Sequence, residues 1–163
     1  MKCAMFPGSF DPPTLGHINI IERSARLYDR LYVVVADNVA KKCLFTAEER
    51  IRLIKDNFRD KDNIEVLSFR GLTVDIAREL GVDVMIRGVR AAGDFGYEFE
   101  LAMTNKQLLP SVETLFMPTD PHYFLLRSSA IKEMAIFGAD ISAMVPANVA
   151  KALAERVVSR ETL

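Results

Sequence analysis

The sequence contains few of the residues that build metal sites and disulfides. Among its 163 residues are two cysteines and two histidines. Cys3 and Cys43 lie far apart, and neither has another cysteine two or three residues away. Zinc sites need a tighter set of ligands, and disulfide frameworks need more cysteines. We therefore expect two reduced thiols in a cytoplasmic protein.

An excess of positive charge is also missing. Lysine and arginine number 21 against 22 for aspartate and glutamate, which gives a formal net charge of −1 at pH 7. Proteins that coat nucleic acid carry a basic excess, so we expect no nucleic-acid partner. Any group that binds an anion must be local rather than spread over the surface.

Long apolar runs are absent as well. No segment approaches the length of a membrane span, and the apolar run at the N-terminus is too short for a signal peptide. The sequence shows no internal repeat, low-complexity tract or linker. We expect a single domain over residues 1–163 with no membrane partner.

What the sequence does contain is a regular alternation of short apolar runs with helical patterns. The apolar runs are KCAMF, LYVVVA, IEVLSF, VDVMI and ETLFM. Continuous runs of this kind are typical of strands buried on both faces of a parallel sheet. Their alternation with helices predicts an α/β fold, a Rossmann-like doubly wound five-stranded parallel sheet with helices on both faces.

Capping signals mark the ends of several predicted helices. Thr46 and Glu49 form a capping-box pattern ahead of an apolar helix face. Gly81 and Pro110 each stop a helix. Four of the predicted helices cover residues 73–80, 97–109, 128–137 and 148–158. The last of them either forms an interface or packs on the sheet.

The loops that follow the predicted strands concentrate small hydroxyls and cations. They hold Ser9, Thr14, His17, Lys41, Lys42, Arg70, Thr73, Arg87, Arg90, Ser128 and Ser129. Ligands of doubly wound sheets bind at the carboxyl ends of the strands. Cations, hydroxyls and free amides at helix starts bind phosphate, so these loops predict a phosphorylated ligand. The Walker A and GxGxxG patterns are absent, which removes the usual support for kinases, GTPases and dehydrogenases.

Two of these loops resemble those of a known enzyme family. PGSFDPPTLGH is similar to the (H/T)xGH loop of the nucleotidylyltransferases, and IRGVRAAGDFGYE resembles the signature of the bacterial phosphopantetheine adenylyltransferases. The similarity extends through AKK at 40–42, FTAEER at 45–50 and SSAIKE at 128–133, and so spans nearly the whole chain. It implies one nucleotidylyltransferase domain over residues 1–163.

The resemblance implies adenylyl transfer from ATP to 4'-phosphopantetheine, which gives dephospho-coenzyme A and pyrophosphate in coenzyme A synthesis. It also implies Mg²⁺, a homo-hexamer and feedback by coenzyme A. Because no carboxylate cluster is evident, we expect ATP phosphates and water to hold the Mg²⁺, with no metal ligand from the protein.

The resemblance also assigns residues to roles. The catalytic set is His17, Lys41 and Arg90. The ATP-binding set is Ser9, Phe10, Thr14, His17, Gly88, Arg90, Glu98, Tyr123, Ser128 and Ser129. The phosphopantetheine-binding set is Ser9, Lys41, Thr73 and Arg87. Thr14 and His17 are three residues apart, so both can face one anion, and His17 would stabilise the transition state at an α-phosphate oxygen.

Some of these residues have a structural alternative. Thr73, Ser128 and Ser129 also fit the pattern of helix N-caps. His17 alone would read as a surface or cap residue, and the flanking motif favours the catalytic role. The sequence departs from the family loop YSF(I/L)SSS, because it reads YFLLRSS, with Phe124 and Arg127 where serines would stand. Arg127 either binds the outer ATP phosphates or points into solvent.

Two other functions stay open on the sequence. One is another adenylyl- or cytidylyltransferase of the same fold, acting on a nicotinamide or sugar-alcohol phosphate. The IRGVR and DFGYE segments favour phosphopantetheine over those acceptors. The other is a non-enzymatic nucleotide-binding module. The set of Thr14, His17 and Lys41 speaks against a module that has lost turnover.

Overall fold

A computed structural model describes residues 2–37 and 42–161 of the chain. Strands and helices alternate along it. In chain order they are β1 (Cys3–Gly8), α1 (Leu15–Ala25), β2 (Arg30–Ala36), α2 (Ala47–Lys55), β3 (Ile64–Phe69), α3 (Thr73–Leu80), β4 (Val84–Val89), α4 (Ala92–Leu108), β5 (Glu113–Pro118), a 3₁₀ turn (Pro121–Tyr123), α5 (Ser128–Ile136) and α6 (Ala147–Glu161). All five predicted strands are therefore confirmed.

The five strands form one parallel sheet in the order β3-β2-β1-β4-β5, which confirms the doubly wound α/β prediction. The direction of winding reverses between β1 and β4. These two strands pair only at Ala4 with Val84 and at Met5 with Met85, whereas β1 and β2 pair along their whole length. Toward their carboxyl ends β1 and β4 are no longer paired, so a crevice opens at the switch point of the sheet.

Alternate residues of the strands face two different apolar layers. Ala4 and Phe6 of β1 belong to a cluster with α1 and α2, whereas Met5 belongs to a cluster with α3. Both faces of the sheet are thus covered by helices, as right-handed crossovers require. A third cluster joins α5 and α6 to residues of α2 and the segment before it.

The predicted helix ends were right in part. The Thr46–Glu49 capping box is present. Helix α4, however, begins at Ala92 rather than at residue 97. Gly93 and Gly96, which precede the predicted start, both lie inside the helix with open space around them.

The N-cap alternatives for Thr73 and Ser128 were wrong. Leu72 caps α3 and Arg127 caps α5, and neither makes a side-chain capping bond. Thr73 and Ser128 are each the first residue inside their helix, one position too late to cap it, and the alternative for Ser129 was wrong as well, because it is the second residue of α5.

Helix α6 packs against α2 and α5 rather than on the sheet. Val149 and Leu153 are fully buried, in the cluster that also holds Leu53 and Ile131. The chain itself therefore covers this part of the helix. Among the helices of the described residues, none combines the length and the apolar character needed to cross a membrane.

Candidate active site

A cavity of about 670 Å³ lies at the carboxyl edge of the sheet, where β1 and β4 separate. Its volume falls within the range of small-molecule sites. Among its lining residues are the predicted site residues Ser9, Phe10, Thr14, His17, Arg87, Gly88, Arg90, Glu98, Ser128 and Ser129, together with Arg127. Neither Thr73 nor Tyr123 lines it. Lys41, predicted to bind both phosphates and acceptor, lies outside the described residues.

His17 is held by the start of helix α1. Thr14 is the N-cap residue, and its hydroxyl accepts from the His17 backbone N–H at 3.3 Å. In return, the Thr14 backbone N–H donates to His17 Nδ1 at 3.0 Å. This reciprocal capping fixes the imidazole at the helix N-terminus, where the helix dipole attracts anions. Thr14 is thus a cap residue whose hydroxyl is engaged with its own helix.

The capping bond also defines the protonation state of His17. Because Nδ1 accepts a hydrogen bond from a backbone amide, the neutral ring carries its proton on Nε2. Burial, with a smaller contribution from the nearby Arg90 charge, lowers the pKa of His17 from its usual 6.5 to about 4. At neutral pH the side chain is therefore a neutral donor.

We expect His17 to stay neutral well below the usual histidine range. In ¹⁵N-resolved NMR spectra its imidazole should be the Nε2–H tautomer at pH 6, with a midpoint near 4, the value to which its pKa is lowered. Because the folded pKa lies below the unfolded one, the unfolded chain binds the proton first, and stability falls as pH drops from about 6.5 toward 4. Spectra of His17→Asn identify the signal. A His17 midpoint near 6.5 would contradict this environment.

The Phe10 ring packs against the imidazole of His17. Its φ of 48° lies in the left-handed region, and its side chain is buried. The ring meets the rings of Phe6 and His17 edge-on, at centroid distances of 5.4 and 5.0 Å. A Cβ on Gly8 would lie 2.9 Å from the Phe10 ring, so only glycine leaves room for it. The ring thus orients His17, and its predicted contact with ATP stays a prediction.

Arg87 bridges the crevice between the two separated strands. Its guanidinium donates to both carboxylate oxygens of Glu98, at 2.5 and 2.9 Å, and to the carbonyl of Pro7 at 2.9 Å. These bonds use three of the five N–H donors of the side chain, which leaves two for a ligand. Glu98, predicted to belong to the ATP-binding set, holds Arg87 in place with its carboxylate, and its contact with ATP stays a prediction.

Arg90 also lines the cavity and is anchored in a similar way. Its Nε donates to Asp94 at 2.9 Å, and its Nη1 donates to the carbonyl of Leu126 at 2.7 Å. The second bond ties the loop after β4 to the segment before α5. Gly88 lies between the two arginines, at the end of β4, and a Cβ there would make only ordinary contacts with Ile20 and Phe6.

The start of α5 lies at the cavity wall. The hydroxyl of Ser128 donates to the carbonyl of Pro12 at 2.9 Å, so it anchors the helix. Because the cap residue Arg127 makes no side-chain capping bond, the first amides of α5 have no side-chain acceptor at the cap. Ser129 is exposed beside them and lines the cavity.

Thr73 and Tyr123 are not among the residues that line the cavity. Thr73 is the first residue of α3, beyond the end of β3. Tyr123 packs close to α1, since a Cβ on Gly16 would lie 3.5 Å from its side chain. Gly16 therefore lets the loop after β5 approach the helix that carries His17. The predicted substrate contacts of Thr73 and Tyr123 stay predictions.

Sequence reasoning missed two buried charges at the site, Arg50 behind the cavity lining and Asp11 within it. Arg50 is 1% exposed and donates to the carbonyls of Ser9, Ala36 and Thr46. It therefore joins the ends of β1 and β2 to the start of α2. Asp11 is the second, with Lys132 as its partner. The signal was an arginine in an otherwise apolar helix position, and a carboxylate in a loop rich in phosphate-binding residues.

The acidic side chains around the cavity are already engaged. Asp11, Asp94 and Glu98 pair with Lys132, Arg90 and Arg87, respectively. Across residues 2–37 and 42–161, no three His, Cys, Asp or Glu side chains lie close enough together to hold a metal ion.

Known proteins resemble this chain in sequence. A family model described as cytidylyltransferase-like matches residues 5–134. The phosphopantetheine adenylyltransferase of Caldanaerobacter subterraneus subsp. tengcongensis is 49% identical over 156 residues, which cover 96% of this chain and 98% of that protein. The one from Dictyoglomus thermophilum is 48% identical over 153 residues, which cover 94% and 93%.

A solved structure shows the same fold. It is a protein from Vibrio parahaemolyticus assigned as a nicotinate-nucleotide adenylyltransferase, with a TM-score of 0.72 and 21% identity. The match covers all of this chain and 98% of the other. At this identity the likeness concerns the fold alone.

Proposed function

The chain belongs to the phosphopantetheine adenylyltransferase family, and from that premise we propose that it transfers the adenylyl group of ATP to 4'-phosphopantetheine. The products are dephospho-coenzyme A and pyrophosphate. The observation that carries the proposal is the cavity at the sheet's switch point. There His17, Arg87 and Arg90 converge with the starts of α1 and α5, as an anionic ligand would require.

His17 acts on the α-phosphate. The acceptor phosphate attacks the α-phosphorus while pyrophosphate leaves in line, so charge builds on the α-phosphate oxygens. The Nε2–H of a neutral, fixed imidazole donates to one of those oxygens and stabilises that charge. Arg90 neutralises the phosphates next to it, and the amides of α5 with Ser129 bind the outer phosphates.

The acceptor phosphate binds on the Arg87 side of the cavity. The two remaining donors of Arg87 can grip two phosphate oxygens, because Glu98 and Pro7 already fix the plane of the guanidinium. Lys41 adds a point charge there, as the family resemblance implies. Ser9 lies between the two phosphates, and Thr73 meets the pantetheine arm.

We also propose that Mg²⁺ binds together with ATP. The cavity carboxylates are paired with cations, so phosphate oxygens and water remain as its ligands. When bound, the metal ion neutralises the triphosphate and stabilises the leaving pyrophosphate.

Release of pyrophosphate tests the reaction. The full chain and Mg²⁺ are incubated with ATP or CTP and with 4'-phosphopantetheine, nicotinamide mononucleotide or a sugar-alcohol phosphate, and the nucleotidyl product is identified by mass spectrometry. We expect dephospho-coenzyme A from phosphopantetheine alone. Turnover only with another acceptor would replace the proposed substrate, and binding of ATP with no turnover on any acceptor would indicate a non-enzymatic nucleotide-binding module.

Arg127 contributes to ATP binding in this proposal. It is exposed on the cavity wall at the start of α5, and within the described residues its guanidinium has no hydrogen-bond or ion-pair partner. A cation at a helix N-terminus is unfavourable unless an anion lies nearby. The β- or γ-phosphate of ATP supplies that anion.

We expect Arg127→Ser to raise the KM for ATP by about three- to tenfold, which corresponds to the loss of one hydrogen bond of about 0.5–1.5 kcal/mol at an exposed side chain. The dependence of this KM on salt concentration should also become shallower, since one charge contact is lost. Arg26→Ser serves as the control, because it removes the same charge at the far end of α1. Superimposable salt series for wild type and Arg127→Ser would exclude the phosphate contact.

The assembly is proposed to be a homo-hexamer, as the family resemblance implies. Helix α4 and strand β5 carry a set of exposed apolar side chains, namely Phe95, Tyr97, Phe99, Met103, Leu108 and Leu115. Large exposed apolar patches mark protein interfaces, so these elements are the surface that would be covered. Sedimentation of the full chain tests this, and a monodisperse monomer would overturn it.

Regulation and location complete the proposal. Coenzyme A contains the product within its structure, so it can compete for the same cavity, and inhibition assays at increasing coenzyme A concentration test this. Cys3 and Cys43 are free thiols, which fits the reducing cytoplasm in which we place the enzyme.

A further inference from the structure

Asp11 is a carboxylate on the wall of a cavity that otherwise collects cations and hydroxyls. It is 5% exposed, and it lines the cavity together with His17 and Arg90. A negative charge here repels the phosphates of a substrate, so on charge alone it weakens binding. Asp11 must therefore contribute something other than direct binding of the substrate phosphates.

The carboxylate joins three separate segments of the chain. It lies in the loop after β1 and accepts the backbone N–H groups of Leu44 and Phe45, at 2.9 and 3.0 Å, just before α2. It also accepts from Lys132 of α5 at 2.8 Å. The neighbouring carbonyl of Pro12 accepts from Ser128, so α5 is attached to this loop at two points.

Each of these segments contributes to the cavity wall. The loop after β1 carries Ser9 and leads into His17, and α5 presents Ser128 and Ser129. Lys42 and Cys43 line the cavity directly before the two amides that Asp11 holds. A shift in any of the three bonds would therefore move groups that face the substrates.

We propose that Asp11 is a positioning residue of the adenylyl-transfer site, with Lys132 as its charge partner. It fixes the relative positions of the loop after β1, the segment before α2 and the start of α5. This inference rests on the proposed function, since it concerns groups that align two phosphates. A misalignment of about 1 Å can reduce such a reaction about 100-fold.

Asparagine cannot reproduce the three bonds. An ionised carboxylate accepts on both oxygens, whereas an amide has one acceptor oxygen and an NH₂ group that only donates. Three donors converge on Asp11, so in Asp11→Asn at least one donor would face another donor. The variant keeps the shape of the side chain and releases the segments.

Charge and positioning predict opposite results for Asp11→Asn. Removing a negative charge makes the cavity more positive, so electrostatics alone predicts a lower KM for ATP and an unchanged or higher kcat. Loss of positioning predicts a lower kcat despite the more favourable charge. We expect kcat to fall about 30-fold, with faster hydrogen exchange over residues 44–50.

The experiment compares four variants of the full chain with wild type. They are Asp11→Asn, Lys132→Met, the double variant and the control Glu65→Gln, which breaks the ion pair with Arg30 near the amino ends of β2 and β3. Circular dichroism and the Tm establish folding, and kcat and both KM values are measured. We expect the double variant to lie within about twofold of Asp11→Asn, because both changes break one unit.

Several outcomes would overturn the proposal. These are a lower Tm with unchanged kcat in Asp11→Asn, a lower KM for ATP with unchanged kcat, or additive losses in the double variant. If Asp11→Asn does not fold, Lys132→Met decides alone. It keeps both amide bonds and the Ser128–Pro12 bond but removes one of the two attachments of α5, so we expect about fivefold lower kcat, and a wild-type kcat would contradict the coupling. If wild type itself forms no dephospho-coenzyme A, the proposed function fails instead.

Discussion

His17→Ala should lower kcat about 100-fold or more while leaving the affinity for ATP nearly unchanged. The Nε2–H of the neutral imidazole meets charge that develops mainly in the transition state, so its loss costs about 3 kcal/mol there and little in the ground state. The fixed orientation of the ring, held by Thr14 and Phe10, is what makes this donor effective. Steady-state kinetics with a separate ATP-binding measurement gives both quantities.

Stability has to be separated from catalysis in this variant. Alanine also removes the acceptor of the Thr14 backbone N–H, which costs the start of α1 about 1 kcal/mol. The kcat is therefore measured well below the Tm. His122→Ala is the matched control, because the second histidine is exposed in the 3₁₀ turn and does not line the cavity. Near-normal kcat in His17→Ala would remove the proposed role.

The fold was predictable because the strands appear in the sequence as short continuous apolar runs. All five apolar runs became neighbouring strands, although the edge strand β5 has no buried residue and so is not covered on both faces as predicted. The location of the site followed from the same topology, since loops after parallel strands meet at one edge. The bounds of α4 were less predictable, because Gly93 and Gly96 are tolerated inside a helix whose ends depend on tertiary contacts.

The pairing of side chains within the site could not be predicted in the same way. Ser128 uses its hydroxyl to anchor α5, Glu98 orients Arg87, and Asp11 holds three segments. Each of these bonds joins residues from different loops, so it depends on distances that only the folded chain defines. Sequence patterns indicate which groups reach the edge of the sheet, but not which of them face each other.

Arg87→Met should cost about 2–4 kcal/mol in kcat/KM for phosphopantetheine, mainly through a higher KM. The loss has two sources. The acceptor phosphate loses its two donors, and the largely buried Glu98 carboxylate is left without a partner beside the bound phosphate. Lys41→Ala is expected to show a loss of similar size, because the family resemblance gives it the same phosphate.

The double variant Arg87→Met with Glu98→Gln separates these two sources. Glutamine removes the unpaired charge at similar volume, so whatever activity the double variant regains over Arg87→Met measures the repulsion by Glu98. The loss that remains measures the phosphate contact itself. Arg87→Lys keeps one charge but lacks the planar fork, and it should recover KM only in part, since its three donors cannot both replace the three bonds to Glu98 and Pro7 and supply two to a phosphate. The assignment also requires that the phosphate be recognised: dephosphorylated pantetheine must compete far more weakly than 4'-phosphopantetheine with wild type. Equal competition by the two compounds, or an unchanged KM for phosphopantetheine in Arg87→Met, would place the acceptor phosphate elsewhere in the cavity.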